Sequence, residues 1–241
     1  MKISIIIPAY NEERLLGETL QRVTASAARF PQRGWEVELI VCDNNSSDRT
    51  GEIARTAGAR VVFEPINQIG RARNCGAAAA SGDWLLFVDA DSHPTPELFS
   101  DVIEQIESDR CLAGGSTVRL EGDLTVAKRV TSCWNFISRR LHWVAGSFIF
   151  CETKAFREIG GFSSELFASE EIDLSRRLKR LAAKQGKKIV ILHRNPLLTS
   201  ARKLHLYSFR EHLWLMCKVA LAPRKTLRNR EACHSWYDGR R

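Results

Sequence analysis

Two aspartates, Asp89 and Asp91, stand one residue apart at the end of an apolar run, "WLLFVD", that spans 84–89. A short apolar run of this kind is typical of a buried strand. Close carboxylates suit Mg²⁺ or Mn²⁺, which take oxygen ligands and bind through one or two carboxylates together with substrate phosphates. An Asp-x-Asp triplet can also simply cap the following helix, and for the triplet alone that role is the more common one.

Two other polar segments follow strand-like runs. "PAYNE" (8–12) comes after "ISIIIP", and "DNNSS" (43–47) comes after "VELIVCD". In open parallel sheets, ligands bind beyond the carboxyl ends of the strands. We therefore expect these two segments and the Asp89/Asp91 pair to meet on one rim of a sheet.

Alternating strand and helix patterns predict the elements that position this rim. The β-branched run at 3–8 predicts a strand buried on both faces, and helical spacing of apolar residues predicts an amphipathic helix over 12–29. Further strands are predicted at 37–43, 59–64 and 84–89, with helices at 70–80 and from an N-cap at Ser46 or Ser47 to a stop at Gly58. This order indicates an α/β fold with a doubly wound, mainly parallel sheet.

The second half has a less regular pattern. Helices are predicted at 95–107, 123–140, 153–159 and 170–183, and strands at 112–120, 143–150 and 187–192. The segment 204–223 predicts an apolar helix that charged residues interrupt too often for a membrane span. It fits an interfacial or partner-packing helix and, equally well, plain core packing.

The composition is that of an ordinary soluble globular protein. The 241 residues are 44% hydrophobic and 27% charged, enough for one large domain with a substantial core. The opening "MKISIIIPAY" is too short for a signal-peptide core or a membrane span. Seven scattered cysteines without a C-x-x-C pair favour reduced thiols in the cytoplasm and argue against zinc.

Basic charge is concentrated in the C-terminal part of the chain. Residues 1–174 carry 18 Lys and Arg against 25 Asp and Glu, whereas residues 175–241 carry 18 against 3. Such a block attracts anionic lipid head groups, nucleic acid or a phosphorylated acceptor. A solvated tail explains the charge equally well, because charge alone names no partner.

Five blocks of sequence occur in the order and spacing of a known family. They are "SIIIPAYNEE", "LIVCDNNSSDRT", "GRARNCGAAAASGDWLLFVDADS", "AGSFIFCETKAFREIGGF" and "SEEIDLSRRL". Over about residues 1–200 the chain resembles a family 2 glycosyltransferase of GT-A fold. The resemblance implies a Rossmann-like sheet with a nucleotide-sugar half (1–92), an acceptor-side half (93–200) and a basic helical C-terminal extension (201–241).

The resemblance also implies an activity. Such enzymes move a sugar from a nucleotide-sugar donor, here a UDP-sugar by preference, to a hydroxyl acceptor with inversion and with Mg²⁺ or Mn²⁺. The acceptor would be a sugar, a lipid-linked compound or a small molecule. The implied location is the cytoplasm, with peripheral membrane contact at the inner face through the basic C-terminus, and nucleic acid is not an expected partner.

Donor-site residues follow from the same likeness. Pro8, Tyr10, Glu12 and Asp43 match the positions that hold the nucleoside, where a carboxylate can accept the imide N–H of uracil. Arg73 resembles the family's arginine near the base or diphosphate, and Arg71 is a second candidate. An arginine on an exposed helix face is the alternative for Arg73.

The metal ligands are carried over in the same way. Asp91 would be the direct ligand, with Asp89 contacting the ribose or a metal-bound water. His193 stands where some related enzymes carry a histidine that completes the metal site. A lone histidine is more often structural or exposed.

The expected base lies in the stretch Glu170, Glu171, Ile172, Asp173. The family usually has Glu-Asp and then a second Asp two positions later, so Glu171 aligns with the base but is one methylene longer. This departure leaves the choice between Glu170 and Glu171 open. Acidic residues in a first helical turn also complement the helix dipole without any catalytic role.

Two other functions compete with this interpretation. A nucleotidyltransferase shares the need for a nucleotide, a metal and an α/β sheet, but "PAYNEERLL" lacks the glycine- and lysine-rich phosphate loop expected near its first strand. A catalytically dead, membrane-associated binding protein would use the basic C-terminal block and retain only the fold.

Overall fold

The computed structural model describes residues 1–120, 125–200, 227–229 and 233, with the side chains of 125–127 left aside. One sheet has the strand order β3-β2-β1-β4-β7-β6-β8-β5. The strands are Lys2–Ala9 (β1), Glu36–Asp43 (β2), Arg60–Phe63 (β3), Trp84–Val88 (β4), Ser92–His93 (β5), Cys111–Leu120 (β6), Phe148–Glu152 (β7) and Lys188–Thr199 (β8). The α-helices are Leu16–Ala27 (α1), Thr50–Thr56 (α2), Ile69–Ala79 (α3), Pro96–Glu107 (α4), Thr125–Leu141 (α5), Thr153–Glu158 (α6) and Glu170–Lys184 (α7).

The first four strands form the predicted parallel half. β1 pairs in parallel with β2 on one side and with β4 on the other, and β2 pairs in parallel with β3. The order 3-2-1-4 reverses between β1 and β4, which creates the crevice where doubly wound sheets bind ligands. The turns after β1, β2 and β4 therefore share one rim.

The second half departs from the parallel pattern. β7 lies antiparallel between β4 and β6, while β6 and β8 are parallel. The predicted strand at 143–150 was wrong in its bounds, since the strand is Phe148–Glu152 and residues 146–147 form a turn before it. β8 runs to Thr199, well past the predicted end at residue 192, and pairs with the two-residue strand β5.

Two other predictions need comment. The N-cap at Ser46 or Ser47 was wrong: α2 begins at Thr50, whose N–H donates to the Asp48 carboxylate at 3.0 Å. The helix predicted at 204–223 lies outside the described residues. Among the described residues, no helix is both long and apolar enough to cross a bilayer.

The core has two layers, one on each face of the sheet. Ile3, Ile5 and Ile7 belong to a layer with α1 and α4 on one face, whereas Ile6 lies on the other face against α3, in a layer that also contains the apolar side of α7. Every residue of β1 after Lys2 is buried. A strand buried on both faces is what a continuous apolar run predicts.

Helix α3 approaches β1 closely at one glycine. A Cβ placed on Gly76 would lie 2.4 Å from Cγ2 of Ile6, which is too close for two carbon atoms. The absence of a side chain at this position lets α3 sit directly on the strand. That distance matters because α3 also carries Arg73.

We expect Gly76→Ala to lower the free energy of unfolding by about 1–3 kcal/mol, because the added methyl group pushes α3 away from β1. Gly17→Ala is the matched control: its Cβ meets no atom nearer than 3.8 Å. The control should raise stability by up to about 1 kcal/mol through helix propensity alone. Urea unfolding of both variants measures the difference, and equal effects would refute the close-packing explanation.

Candidate functional site

The loops after β1 and β2 are joined by hydrogen bonds on the rim. The Asn44 N–H donates to the Ala9 carbonyl at 2.8 Å, and the Asn11 N–H donates to Oγ of Ser46 at 3.0 Å. Asn11 Oδ1 in turn accepts from the Ser47 N–H at 2.8 Å. Asn11 has a positive φ of 52°, a conformation that asparagine tolerates better than most residues.

The predicted nucleoside residues lie on this pair of loops. Pro8 pairs with Cys42 in the ladder, which brings the end of β1 beside Asp43 at the end of β2. Asp43 Oδ1 accepts from the Ser46 N–H at 2.9 Å. Tyr10 is half-buried and Glu12 is buried, with the Glu12 N–H donating to Oγ1 of Thr50 at 2.8 Å. The structure therefore brings Pro8, Tyr10, Glu12 and Asp43 to one place.

A buried pair of amides, not predicted from the sequence, links this rim to the opposite wall. Asn44 Nδ2 donates to the carbonyls of Glu64 and Ile66, and Asn44 Oδ1 accepts from the Gln68 N–H. The Gln68 side chain then donates to the carbonyls of Ser164 and Leu166 at 2.9 and 2.8 Å. The segment before α7 is thus fixed relative to the loops after β2 and β3.

Arg71 belongs to this wall and lies outside the centre of the site. Its Nε lies 3.3 Å from Oε1 of Glu64, and about a third of its side chain is exposed. Glu64 Oε1 also accepts from the Ile66 N–H at 3.0 Å. Arg71 is therefore held beside the loop that follows β3.

Arg73 is the centre of the site. It is fully buried, and its guanidinium donates to Glu170 Oε1 at 2.8 Å, to Asp89 Oδ1 at 2.9 Å and to the Gly146 carbonyl at 2.8 Å. Its Cζ lies 5.2 Å from the ring centroid of Phe162. The surface position that the sequence left open for Arg73 is wrong, since the side chain points into the protein.

The charges around Arg73 keep it protonated. Burial alone would lower the pKa of Arg73, but Asp89 and Glu170 together raise it. A buried cation without such partners would be strongly disfavoured. One guanidinium therefore joins a carboxylate from the end of β4 to a carboxylate from the start of α7.

The Asp89/Asp91 turn is held from several sides. The Asp89 N–H donates to the Ser147 carbonyl at 3.2 Å, and the Ser92 N–H closes the turn onto the Asp89 carbonyl at 3.1 Å. Asp91 is 7% exposed and its carbonyl accepts from the Ser200 N–H at 3.2 Å. The hydrogen bond from Arg73 falls on Asp89.

These two carboxylates fit a hard divalent cation only with help from a ligand. The described residues contain no group of three or more His, Cys, Asp and Glu side chains that could hold a metal. A turn with two carboxylates nevertheless matches the way Mg²⁺ binds, through one or two carboxylates with substrate phosphates and water completing its shell. The carboxylate ligands at this turn are therefore suitable for a cation that binds together with a diphosphate.

The structure does not bring His193 to this turn. His193 is exposed partway along β8, where its Nδ1 lies 3.4 Å from the Ile191 carbonyl. The part of β8 beside the Asp91 turn is its end, Thr199 and Ser200. Six residues of strand at about 3.3 Å each separate His193 from Thr199.

The three acidic residues of α7 have different surroundings. Glu170 is buried against Arg73, whereas Asp173 turns outward and pairs with Arg177 at 2.8 Å. Glu171 is half-buried between them. Burial and the neighbouring charge of Glu170 raise the pKa of Glu171 to about 8.

A C-terminal segment completes the wall beside α7, which sequence patterns did not indicate. The Phe167 N–H donates to the Leu227 carbonyl at 2.8 Å, and Arg228 pairs with Glu165 at 2.6 Å. Cys233 is fully buried, and burial together with the charge of Glu170 raises the pKa of its thiol. An adjoining cleft of about 810 Å³ includes Trp143, whose ring lies 5.2 Å from Cζ of Arg176.

Comparison with known proteins identifies the family. A model described as "Glycosyl transferase family 2" matches residues 4–158, which is more than half of the chain. The chain belongs to glycosyltransferase family 2. This membership favours the glycosyltransferase interpretation over the nucleotidyltransferase alternative.

Two curated proteins resemble this family 2 glycosyltransferase. A dolichol-phosphate mannosyltransferase of Pyrococcus furiosus is 33% identical over 48% of this chain and 33% of its own length. An undecaprenyl-phosphate 4-deoxy-4-formamido-L-arabinose transferase of Edwardsiella ictaluri is 30% identical over 64% of this chain and 49% of its own length. The chain thus spans between a third and a half of these relatives.

Solved structures show the same fold at low identity. The mannosyltransferase PcManGT from Pyrobaculum calidifontis, in complex with GDP-Man and Mn²⁺, has a TM-score of 0.66 at 16% identity over 96% of this chain and 64% of its own. S. aureus TarS 1–349 has a TM-score of 0.64 at 20% identity over 98% of this chain and 68% of its own. These likenesses confirm the GT-A fold of the family 2 glycosyltransferase.

We expect Arg73→Ala to lower the free energy of unfolding by about 3–5 kcal/mol, because the buried Glu170 and the partly buried Asp89 would lose their counter-charge. Adding Glu170→Gln should restore part of the loss, which a double-mutant cycle measures. Arg71→Ala is the control, since a partly exposed ion pair contributes about 0–1 kcal/mol. A loss for Arg73→Ala no larger than for Arg71→Ala would contradict the central role of Arg73.

Glu171→Gln tests the raised pKa through stability in the absence of metal and donor. In the fold Glu171 keeps its proton up to pH about 8, against an ordinary value of 4.5, so the folded state binds the extra proton within this window. Stability should therefore fall as pH rises through the window. When the pH is raised from about 5 to about 9, the free energy of unfolding of the wild type should therefore fall relative to that of Glu171→Gln. The difference should change by at least about 1 kcal/mol, roughly the equivalent of one pKa unit.

Urea unfolding at both pH values measures this gain, with the exposed Glu158→Gln as the control. Parallel stability curves for the wild type and Glu171→Gln would show that Glu171 ionises normally.

Proposed function

We propose that this family 2 glycosyltransferase transfers a sugar from a UDP-sugar to a hydroxyl acceptor with inversion at the anomeric carbon. The observation that carries the proposal is the arrangement around Arg73. It joins Asp89, on the rim expected to bind the donor, to Glu170, which is adjacent to the candidate base. Donor and acceptor groups therefore meet in one crevice.

The nucleoside is assigned to the loops after β1 and β2. The backbone from Pro8 to Glu12 and the carboxylate of Asp43 converge there, and the half-buried Tyr10 offers a ring to a flat base. An aspartate that can accept an N–H from uracil supports a UDP-sugar. Two of the matched structures, S. aureus TarS and a Mycobacterium tuberculosis synthase, were solved with UDP-GlcNAc and with UDP.

The diphosphate is assigned to the Asp89/Asp91 turn with Mg²⁺ or Mn²⁺. Asp91 would be the protein's principal ligand, with Asp89, held by Arg73, beside the ribose or a coordinated water. A divalent cation bound at this turn would neutralise the charge that develops on the departing diphosphate. Arg73 keeps Asp89 in a fixed orientation, so the turn is ready before the donor arrives.

Glu171 is the proposed base and Glu170 its positioning partner. The Glu170 carboxylate is occupied by Arg73, whereas the pKa of Glu171, raised to about 8, lies close to physiological pH. Ionised Glu171 takes the acceptor's hydroxyl proton while the acceptor oxygen bonds to the anomeric carbon. The bond from that carbon to the diphosphate oxygen breaks on the opposite face, and the nucleoside diphosphate leaves with the electron pair.

The acceptor class is proposed from the relatives' names. Both curated relatives described above are named for polyprenyl phosphates, dolichol phosphate and undecaprenyl phosphate. We infer that the acceptor of this chain lies at or near a membrane, and that the protein acts in the cytoplasm or at the inner face of that membrane. The cleft beside Trp143 and Arg176 is the space available on the acceptor side.

A thermal-shift screen of sugar nucleotides with Mn²⁺, followed by a UDP-release assay, tests the proposal. A bound donor should raise the melting temperature, because ligands that bind only the folded state stabilise it. Asp91→Asn should remove this shift and reduce metal-dependent UDP release at least about 100-fold, the effect of losing several kcal/mol of charge stabilisation. Asp109→Asn, at a side chain that is 91% exposed, is the matched control and should behave as the wild type.

Glu171→Gln separates the reaction from donor binding. This variant should keep the melting shift with donor and Mn²⁺ but lose at least about 100-fold in release rate, as expected for a general base. A protein that binds no sugar nucleotide would instead support the catalytically dead binding protein. UDP release at the wild-type rate from Asp91→Asn would contradict the metal assignment.

A further inference from the structure

Helix α5 exposes apolar side chains to solvent. The described residues include six exposed large hydrophobic side chains, of which three, Val130, Phe136 and Leu141, belong to α5. Phe136 has 72% of its surface exposed, the largest fraction of the six. Val130 and Leu141 project from another side of the helix, about 120–140° from Phe136 at 3.6 residues per turn, so Phe136 together with its immediate neighbours is the feature that indicates a docking surface.

Cations surround Phe136 on this helix. Positions three and four residues apart are neighbours on a helix surface, and so are positions two turns apart. Arg139, Arg140 and Arg129 therefore border Phe136, and all three are exposed. The helix sequence 125–141 contains four basic residues and no acidic one. An aromatic side chain within a group of cations matches a partner that is both anionic and penetrable.

A cavity of about 580 Å³ lies between α5 and strands β6 and β8. Its walls include Arg119, Lys128, Arg139 and His193, and none of the described residues that line it is acidic. Asn135 fixes the helix over this cavity by exchanging hydrogen bonds of 3.0 and 2.8 Å with the backbone of Val118. The volume and charge suit the phosphate of a lipid head group.

We propose that α5 docks this enzyme on an anionic membrane surface. Phe136 enters the head-group layer, while Arg129, Arg139 and Arg140 meet lipid phosphates, as amphipathic interfacial helices do. A nucleic acid would attract the same cations, but its phosphate backbone offers no apolar layer to Phe136. The assignment does not depend on which donor or acceptor the enzyme uses.

Docking through α5 orients the crevice. The helix leads directly into the turn that contacts Arg73, and Oγ of Ser138 donates to the Trp143 carbonyl at 2.6 Å. Gly146 in that turn accepts from Arg73 at 2.8 Å. A membrane bound to α5 therefore lies beside the acceptor wall, within reach of a substrate held in the bilayer.

Sedimentation of the full chain with vesicles tests this proposal. We expect binding to vesicles containing about one third phosphatidylglycerol and little binding to pure phosphatidylcholine. Arg129→Gln/Arg140→Gln should weaken the binding about 30-fold, since each cation near an anionic surface contributes about 1 kcal/mol and about 1.4 kcal/mol is tenfold. Phe136→Ser should weaken it about tenfold by removing a partly inserted ring. The exposure of all three side chains makes misfolding an unsuitable explanation for these losses.

Matched controls lie on other surfaces. Arg33→Gln/Arg110→Gln removes the same charge from two exposed sites, and Phe63→Ser removes a ring that is 58% exposed on β3. Neither control variant should change vesicle binding by more than about twofold, because none of the substituted residues lies on α5. Wild-type protein that fails to bind anionic vesicles, or α5 variants that bind as well as the controls, would overturn the proposal. Loss in the arginine variant with full binding by Phe136→Ser would also overturn it, in favour of a purely polyanionic partner such as nucleic acid.

Discussion

The structure depends on one buried guanidinium and the groups that neutralise it. Arg73 lies on α3, and its partners come from three other places: the end of β4, the turn before β7 and the start of α7. Burying a charge is costly unless its partners are fixed in position, so these four elements must hold their places together. The close contact between Gly76 and Ile6 sets the height of α3 above β1 and therefore the position of Arg73.

This network gives two adjacent glutamates different chemistry. The charge of Glu170 is neutralised by its ion pair with Arg73. Glu171 is repelled by the charge of Glu170, and the attraction of Arg73 offsets only part of that repulsion and of the cost of burial, so its pKa is raised. Ser169 before them adopts a positive φ of 60°, so the chain enters α7 through a sharp change of direction. The pKa of about 8 for Glu171 is thus a consequence of its position beside the Arg73–Glu170 ion pair. Two neighbouring residues of the same type can therefore take separate roles.

Local sequence patterns predicted the parallel half of the fold because β1, β2 and β4 are apolar runs that end in polar turns. The convergence of Pro8, Tyr10, Glu12 and Asp43 followed from the same rule, since the carboxyl ends of parallel strands share one edge. The 143–150 segment was assigned wrongly because the buried Val144 and Ala145 continue the apolar character of the strand into the turn before it. Periodicity cannot separate a buried turn from a buried strand when both contain small and apolar residues.

Long-range contacts explain the rest of what the sequence did not reveal. Arg73 meets Glu170 across 97 positions and the Gly146 carbonyl across 73, and Gln68 meets Leu166 across 98. An arginine on an alanine-rich helix has no local sign of such burial, and an amide that binds distant carbonyls has none either. His193 illustrates the converse, since a matching position along the chain did not place it beside the Asp91 turn.

The attachment of Leu227 and Arg228 to the loop at 163–167 has a consequence for how the protein is made. A nascent chain folds from its N-terminus as it leaves the ribosome, so the parallel half can assemble early. The wall beside α7 must wait until residues near 233 have emerged. The side of the crevice formed by β1, β2 and β4 can therefore assemble first, and the contacts of Leu227 and Arg228 with the loop at 163–167 complete the opposite side later.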